Sequence, residues 1–526
     1  MNVKSLLILT VVLAAAAPGA ENPPASVFEG STDLAPNGKI DELVFGRLER
    51  MGILPANVCS DGVFLRRVYL DAIGTLPSAE EARRFLMDSS AAKRDKLIDE
   101  LLAREEFVDC WTMKWGDLLR VKSEFPINLW PNAVQAYHRW IRTCIKDNMP
   151  YDRFVREILT ASGSNFRVPQ VNFYRALQSN EPEAIAEAVA LTFMGSRVRS
   201  WPEDRRSGMT TFFSRVGYKD TAEWKEEIIY FKAFQTDPSG TAPPNTAVLP
   251  DGTHAQLPPD RDPREIFADW LIRAENPWFT GSIVNRVWYW LLGRGIVHEP
   301  DDIRRDNPPG NPELLIYLRQ ELVAAQFDLK HVYRLILKSK TYQRSSILRT
   351  DHPDAKAQFA HYPIRRLDAE VLIDALCQIT GTTESYSSII PEPYSFIPEN
   401  RRAIALPDGS ITSSFLEMFG RSPRDSGLES ERNNRATPAQ HLHLLNSTHI
   451  RLKIEQAQKS LAPNPSKDNL AETLAAVYLT ILSRFPTEEE LKAVEAYAAS
   501  GNANVERALF HVIWALINSP EFLYRH

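Results

Sequence analysis

Cysteine is scarce in this sequence. Four occur in 526 residues, Cys59, Cys110, Cys144 and Cys377, and no two stand in a Cys-x-x-Cys spacing. They read either as buried thiols or, in an oxidising compartment, as disulfide partners, with Cys110 and Cys144 as one conceivable pair. Surplus positive charge is missing too. With 61 Lys and Arg against 67 Asp and Glu, the formal net charge is -6. Phosphate recognition needs positive fields, so a general nucleic-acid binder is excluded. The two signs are interspersed, which serves solubility. No Gly-x-Ser-x-Gly occurs, so a serine nucleophile on a strand-to-helix elbow is absent. Beyond the N-terminus no apolar run is long enough to span a bilayer, and no membrane span is expected after signal cleavage.

The N-terminus itself is informative. Lys4 precedes an apolar run from Ser5 to Ala17, and the small residues Gly19 and Ala20 follow. This is the layout of a secretory signal peptide, and the run is too short for a permanent anchor. A buried helix is the competing reading, but a core helix would show a polar face. No cysteine lies near the cleavage region, which argues against a lipid-modified N-terminus. The expectation is a signal peptide at 1–20, a flexible lead at 21–40 and a periplasmic or extracellular protein.

From Asp41 onward the apolar residues recur at helical spacing, and the fold class expected is mainly α. One unit is written three times: a proline-marked helix start, an amphipathic helix, then a second helix closing on an aromatic. Pro77 leads to Phe107, Pro312 to Tyr342 and Pro486 to Phe522. Ser78 with Glu81, and Thr487 with Glu490, have the spacing of capping boxes, while Asn311 caps the third copy with Pro312 in its first turn. Composition shifts to Pro, Gly, Thr and Asp near 236–261, which reads as a linker between helical regions at 41–235 and 262–526. Leu249-Pro250-Asp251-Gly252 and Leu406-Pro407-Asp408-Gly409 carry tight-turn chemistry, so short β-hairpins are expected near both.

Several of these stretches resemble known families. Asp41-Glu42-Leu43-Val44-Phe45 and the run from Phe64-Leu65-Arg66-Arg67 through Asp71 to Pro77 resemble domain-of-unknown-function family 1549. Asp262-Pro263-Arg264, Asn285-Arg286-Val287-Trp288, Asp301-Asp302, Asn307-Pro308-Pro309 and Arg365-Arg366-Leu367-Asp368-Ala369-Glu370 are similar to family 1553. The resemblance implies a tandem of exported domains from the planctomycete cytochrome-associated group, with no established activity. It also implies an exported partner, of which a sulfatase-like protein is one kind. Many members carry Cys-x-x-Cys-His after a Phe-Leu-Gly-like stretch. Here that place reads Phe193-Met194-Gly195-Ser196-Arg197-Val198, without cysteine or histidine. Covalent haem needs two thiols and an axial histidine in one short segment, so attachment there is excluded, as is a thiolate metal site.

The densest polar cluster is the loop from Gly420 to Arg435. Arg421, Arg424 and Arg432 beside Glu429 and Glu431 could form an anion pocket, because guanidinium groups grip sulfate, phosphate and carboxylate in bidentate fashion. The same letters could make an internal ion-pair network, and that is the heavier reading. Asn285, Arg286, Arg365 and Arg366 are candidates for the same groove. His441, His443 and His449 fall in one expected helix, where His441 and His443 diverge and a zinc site is disfavoured. His443 with Asn446, three apart, is the better pocket pair. Asp301-Asp302 offers oxygen ligands, but the spacing is not that of a calcium loop, and salt bridging is favoured.

These features favour a non-catalytic protein that binds an anionic ligand or a partner, with no cofactor and no metal. The alternative is a hydrolase using carboxylates such as Glu429 or Glu431 on an extracellular polymer. A third reading is a haem-less accessory of an electron-transfer system. Whether the protein is an enzyme stays open at this level.

Overall fold

A computed structural model of the protein describes residues 26–30, 32, 35–233, 244–397, 399–461, 465–466, 468–499 and 504–526. The signal-like segment 1–20 lies outside the described residues, and the linker stretch 236–261 lies within them only from 244 onward. The described chain is mainly α-helical, with a few short antiparallel strand pairs.

The repeated unit forms as its capping residues dictate. Ser78 and Glu81 close a reciprocal capping box on the helix Ala79–Met87, and Thr487 with Glu490 does the same before Glu488–Ala499. Asn311 accepts from the amide of Leu314 at the head of Pro312–Ala324. Each of these helices is followed by a partner, Lys93–Leu102, Leu329–Lys338 or Val505–Ile517. The closing aromatics Phe107, Tyr342 and Phe522 are all buried. Each pair hides an apolar face that one helix could not cover alone.

Three expectations need correction. The region before residue 235 is not almost wholly helical. Val216–Asp220 and Glu227–Phe231 form an antiparallel hairpin, which Gly163–Ser164 extends to three strands. A hairpin does flank Leu249-Pro250-Asp251-Gly252, where Thr246–Val248 pairs with His254–Gln256. None forms at Leu406-Pro407-Asp408-Gly409. There the Asp408 carboxylate accepts from the amides of Ser123 and Ser410, and the Gly409 amide donates to the Val121 carbonyl, so the turn is tied to a distant segment and no paired strands flank it. The helix expected through His441, His443 and His449 breaks at Ser447, giving Pro438–Asn446 and Thr448–Leu461.

Side chains gather into two apolar cores. One runs from Ile40 to Tyr362 and takes in Leu479; the other begins at Leu367, continues to Leu523, and recruits Leu70, Leu76 and Met113 from the early chain. Between them Arg365-Arg366 pairs with Tyr524-Arg525 as a short strand ladder. The helix Asp61–Ala72 is the bolt across this seam. Its Arg66 donates to the carbonyls of Ile481 and Phe522, and its Arg67 to those of Tyr342, Arg344 and His526. Buried cations of this kind persist only where oxygens replace their lost water. All four cysteines are free thiols, so the Cys110–Cys144 pairing is not made.

Candidate functional site

The helix Glu105–Leu118 carries Lys114 and Asp117 three residues apart, hence on one face near its C-terminal end. Opposite stands Asp368, in the N-cap position of the helix Ala369–Thr380. Its side chain makes no cap there. The carboxylate instead takes Lys114 Nζ at 3.1 Å, Arg525 Nη2 at 3.2 Å and Asn434 Nδ2 at 2.6 Å. The loop from Gly420 to Arg435 folds over both helices and brings its arginines down between them.

Three chains of ion pairs result. In the first, Arg286 meets Asp301 at 2.8 Å and Glu429 at 3.6 Å, while the Glu429 amide donates to Asp301. In the second, Lys114 and Arg525 share Asp368, and Arg525 and Arg365 share Asp71 at 3.4 and 3.2 Å. In the third, Arg424 and Arg432 share Asp117 at 2.9 and 2.6 Å, and Arg432 and Arg421 share Glu370 at 2.5 and 3.5 Å. The second and third chains each hold three cations to two carboxylates. The first holds two carboxylates to one guanidinium. All three meet at a cleft of about 240 Å³ lined by Lys114, Asp117, Ser422, Leu428, Glu429 and Arg432.

The environment sorts the carboxyls. Burial works against ionising Asp117, but Arg432 and Arg424 outweigh it and hold the group below its usual value. Burial is overcome at Asp368 as well, by Lys114, Arg525 and Arg432, which set it well below the ordinary range. At Glu429 burial prevails over Arg286, and the neighbouring Asp301 charge adds to the rise. Burial, with Arg424 beside it, also brings Arg421 down to about 10.

The sequence candidates separate into two groups. Arg286, Arg365, Arg421, Arg424, Glu429 and Arg432 belong to the cluster, but most are spent on internal partners. Arg424 is 1% exposed and lies against Gly116, where a β-carbon would sit 3.1 Å from its Cζ, and it also donates to the Val121 carbonyl. Arg421 donates to the carbonyls of Ile411 and Asp408. Arg365 closes the end of the helix Pro277–Leu292 by donating to the carbonyls of Trp290 and Leu291. It passes Gly293, whose left-handed φ of 69° and missing side chain leave room for it. Arg366 donates to Gln440 and to the carbonyls of Phe419, Asn433 and Arg435. Asn285 exchanges two hydrogen bonds with the backbone of Val297.

The second group lies away from the cleft. Glu431 accepts from the Ser426 amide, and its carboxyl is raised by burial. His443 meets His449 at 3.3 Å, and His449 meets Glu384 at 2.9 Å, because the break at Ser447 turns the second imidazole back. Asn446 is exposed. Asp301 is an ion-pair partner of the distant Arg286, while the nearby Arg304 takes Asp302 and Asp306. Among the described residues no group of His, Cys, Asp and Glu is arranged to hold a metal.

Sequence reasoning missed Lys114, Asp117 and Arg525, and it gave Asp71, Asp368 and Glu370 no role. The one usable signal was a charged pair, Lys114 and Asp117, flanking Trp115 in the mostly buried half of the helix. Trp290 was missed too. Its indole donates to Glu429 at 2.5 Å and packs 5.3 Å from Trp111 and 6.1 Å from Trp115. These rings form a wall, and on its other face lies a recess of about 460 Å³.

Acid should loosen this site. The folded-state pKa values of Asp117 and Asp368 lie below those of the unfolded chain, so their stabilisation is present above about pH 4 and is lost as pH falls through the depressed values. The urea midpoint is expected to decline below that point. The decline should be shallower in Asp368→Asn, which starts from a lower midpoint at pH 7; an equally steep decline would remove Asp368 from the account.

No curated protein and no solved structure matches the chain. Residues 39–201 match PSCyt2, a protein family of unknown function (DUF1549), and residues 263–498 match PSD1, likewise of unknown function (DUF1553). The cleft is therefore shared, with Lys114 and Asp117 from the first match and Asp368, Glu370, Glu429 and Arg432 from the second. The chain belongs to both families, with a DUF1549 domain followed by a DUF1553 domain.

Proposed function

We propose that the protein is an exported, non-catalytic binder of a ligand bearing one anionic group, a sulfate or carboxylate, which enters the cleft between Lys114 and Arg432. The cation surplus carries this reading. Two ion-pair chains each hold one positive charge more than their carboxylates balance, and both reach the cleft. The first chain contributes Glu429, whose ionisation burial disfavours. An entering anion would complete the balance at low desolvation cost, because the surrounding dipoles and charges are already fixed. Lys114 is the group to change, since its ammonium has Asp368 as an ion-pair partner and faces the cleft, whereas Arg424 is locked in packing. Export rests on the layout of residues 1–20.

Calorimetric titration with glucose 6-sulfate and glucuronate, with glucose as the uncharged control, tests the proposal. Lys114→Met is expected to weaken binding of the charged sugars about tenfold or more, the worth of one hydrogen bond to a charged group. Equal binding of charged and uncharged sugars, or no change in the variant, would count against it. A hydrolase is the second reading, favoured by one observation: Glu429 and Asp117 face one cleft with their pKa values pushed in opposite directions. Turnover of aryl glycosides that disappears in Glu429→Gln would replace the binder with an enzyme.

A further inference from the structure

The recess behind the aromatic wall has a different chemistry from the cleft. Phe107, Trp111, Trp115, Tyr151, Phe154 and Tyr333 line its interior. The recess, about 460 Å³ with its solvent-open mouth included, is a shallow one between nearly buried rings. Two helix corners make the rim, and both are held in place. One is Asn148-Met149, between Pro131–Lys146 and Tyr151–Thr160; the other is the head of Leu329–Lys338, where Leu329 and Lys330 line the recess just after the corner Gln326-Phe327. Asn148, Gln326 and Phe327 adopt left-handed backbone angles of 51°, 55° and 62°. For side chains with a β-carbon such angles are costly and are kept only where surrounding contacts enforce them. Here Asn148 donates to Asp328 at 2.9 Å, and the Tyr151 amide donates to the Phe327 carbonyl at 3.0 Å.

At this rim sits Lys330. Its ammonium lies 5.3 Å from the centre of the Phe107 ring, and among the described residues it has neither a carboxylate within ion-pair distance nor a hydrogen-bond acceptor. The nearest acidic groups are already engaged. Asp328 accepts from Asn148 and caps the His331 amide, while Glu105 pairs with Arg142 at 2.8 Å and Lys146 at 2.6 Å. Burial lowers the lysine's pKa, only partly opposed by Asp328 and Glu105, which act on it without forming an ion pair.

We propose that the recess is a second binding site, for a small aryl or alkyl carboxylate whose apolar part packs on Trp111, Trp115 and Tyr333 while its carboxylate pairs with Lys330. An apolar interior with one cation outside any ion pair at its mouth selects that combination. An uncharged hydrocarbon leaves the ammonium unpaired, and a compact anion such as sulfate leaves the rings uncovered. The site goes beyond the cleft, whose lining carries the charged side chains of Lys114, Asp117, Glu429 and Arg432.

Titrating the full chain with 4-phenylbutyrate and with 4-phenyl-1-butanol, followed by tryptophan fluorescence and calorimetry, tests this. The carboxylate is expected to bind about tenfold more tightly than the alcohol. Lys330→Met should erase that preference, Lys330→Arg should retain it, and Lys114→Met should leave it unchanged. Methionine keeps the stem over Phe107, so thermal melts of both Lys330 variants should match the parent. Equal affinity for acid and alcohol, a preference that survives Lys330→Met, or one that Lys114→Met abolishes would each overturn the proposal. The last result would move the ligand to the cleft.

Discussion

Replacing Arg432 by methionine is expected to lower the unfolding free energy by about 3–5 kcal/mol, the usual cost of stranding a buried charge. Arg432 holds Glu370 through two bonds at 2.5 and 3.1 Å and Asp117 through one at 2.6 Å. Its side chain is 7% exposed and that of Glu370 is 1% exposed. Without the guanidinium, the ion-pair partners left among the described residues are Arg421 at 3.5 Å for Glu370 and Arg424 for Asp117. Methionine fills the volume of the arginine stem, so the loss reflects charge more than a cavity. The urea midpoint at constant slope reads the change. Adding Glu370→Gln to Arg432→Met should recover part of the loss, because the stranded carboxylate is removed with its partner. A loss below about 1 kcal/mol would place the pair in the class of solvated surface bridges and dissolve the cluster as a structural unit.

That cluster also marks where sequence reading stops. The helices were legible because their signals are local: Ser78 with Glu81 and Thr487 with Glu490 lie within one turn of each other, and prolines 77, 312 and 486 stand at helix starts. The break at Ser447 was not, since nothing in Asn446-Ser447-Thr448 forbids a helix. The hairpin of Val216–Asp220 and Glu227–Phe231 escaped because Val216-Gly217-Tyr218 and Ile228-Ile229-Tyr230 are too short to separate a period of two from a helical face. The site was harder still. Arg421, Arg424 and Arg432 could be picked out as a group, yet the residues that neutralise them, Asp117 and Glu370, lie far off in the chain. Arginine in a loop reads as a surface residue unless a partner is visible. Arg525, next to the final residue, gave no signal, although it joins Asp71 to Asp368.

Asp71→Asn is expected to cost a further 3–5 kcal/mol or so and to change how the protein unfolds. Oδ2 of Asp71 accepts from the hydroxyls of Tyr342 and Tyr362 at 2.9 and 2.8 Å, while Oδ1 faces Arg365 at 3.2 Å and Arg525 at 3.4 Å. Its side chain is fully buried. An asparagine can turn its amide to the hydroxyls, which then accept, and its carbonyl oxygen to the guanidiniums in the same rotamer; Arg365 still loses its carboxylate, and Arg525 is left with Asp368 alone. Tyr342→Phe removes one neutral hydrogen bond to the same carboxylate and should cost only about 1 kcal/mol. Arg365 and Arg525 sit on the strand ladder between the two cores, and Asp71 belongs to the helix that bridges them. Weakening this point should uncouple the cores, so calorimetry of Asp71→Asn is expected to show two transitions where the parent shows one. A single transition with a small shift would mean that apolar packing of Leu70, Leu76 and Met113 against the second core holds the halves together, and that the buried charges only set their register.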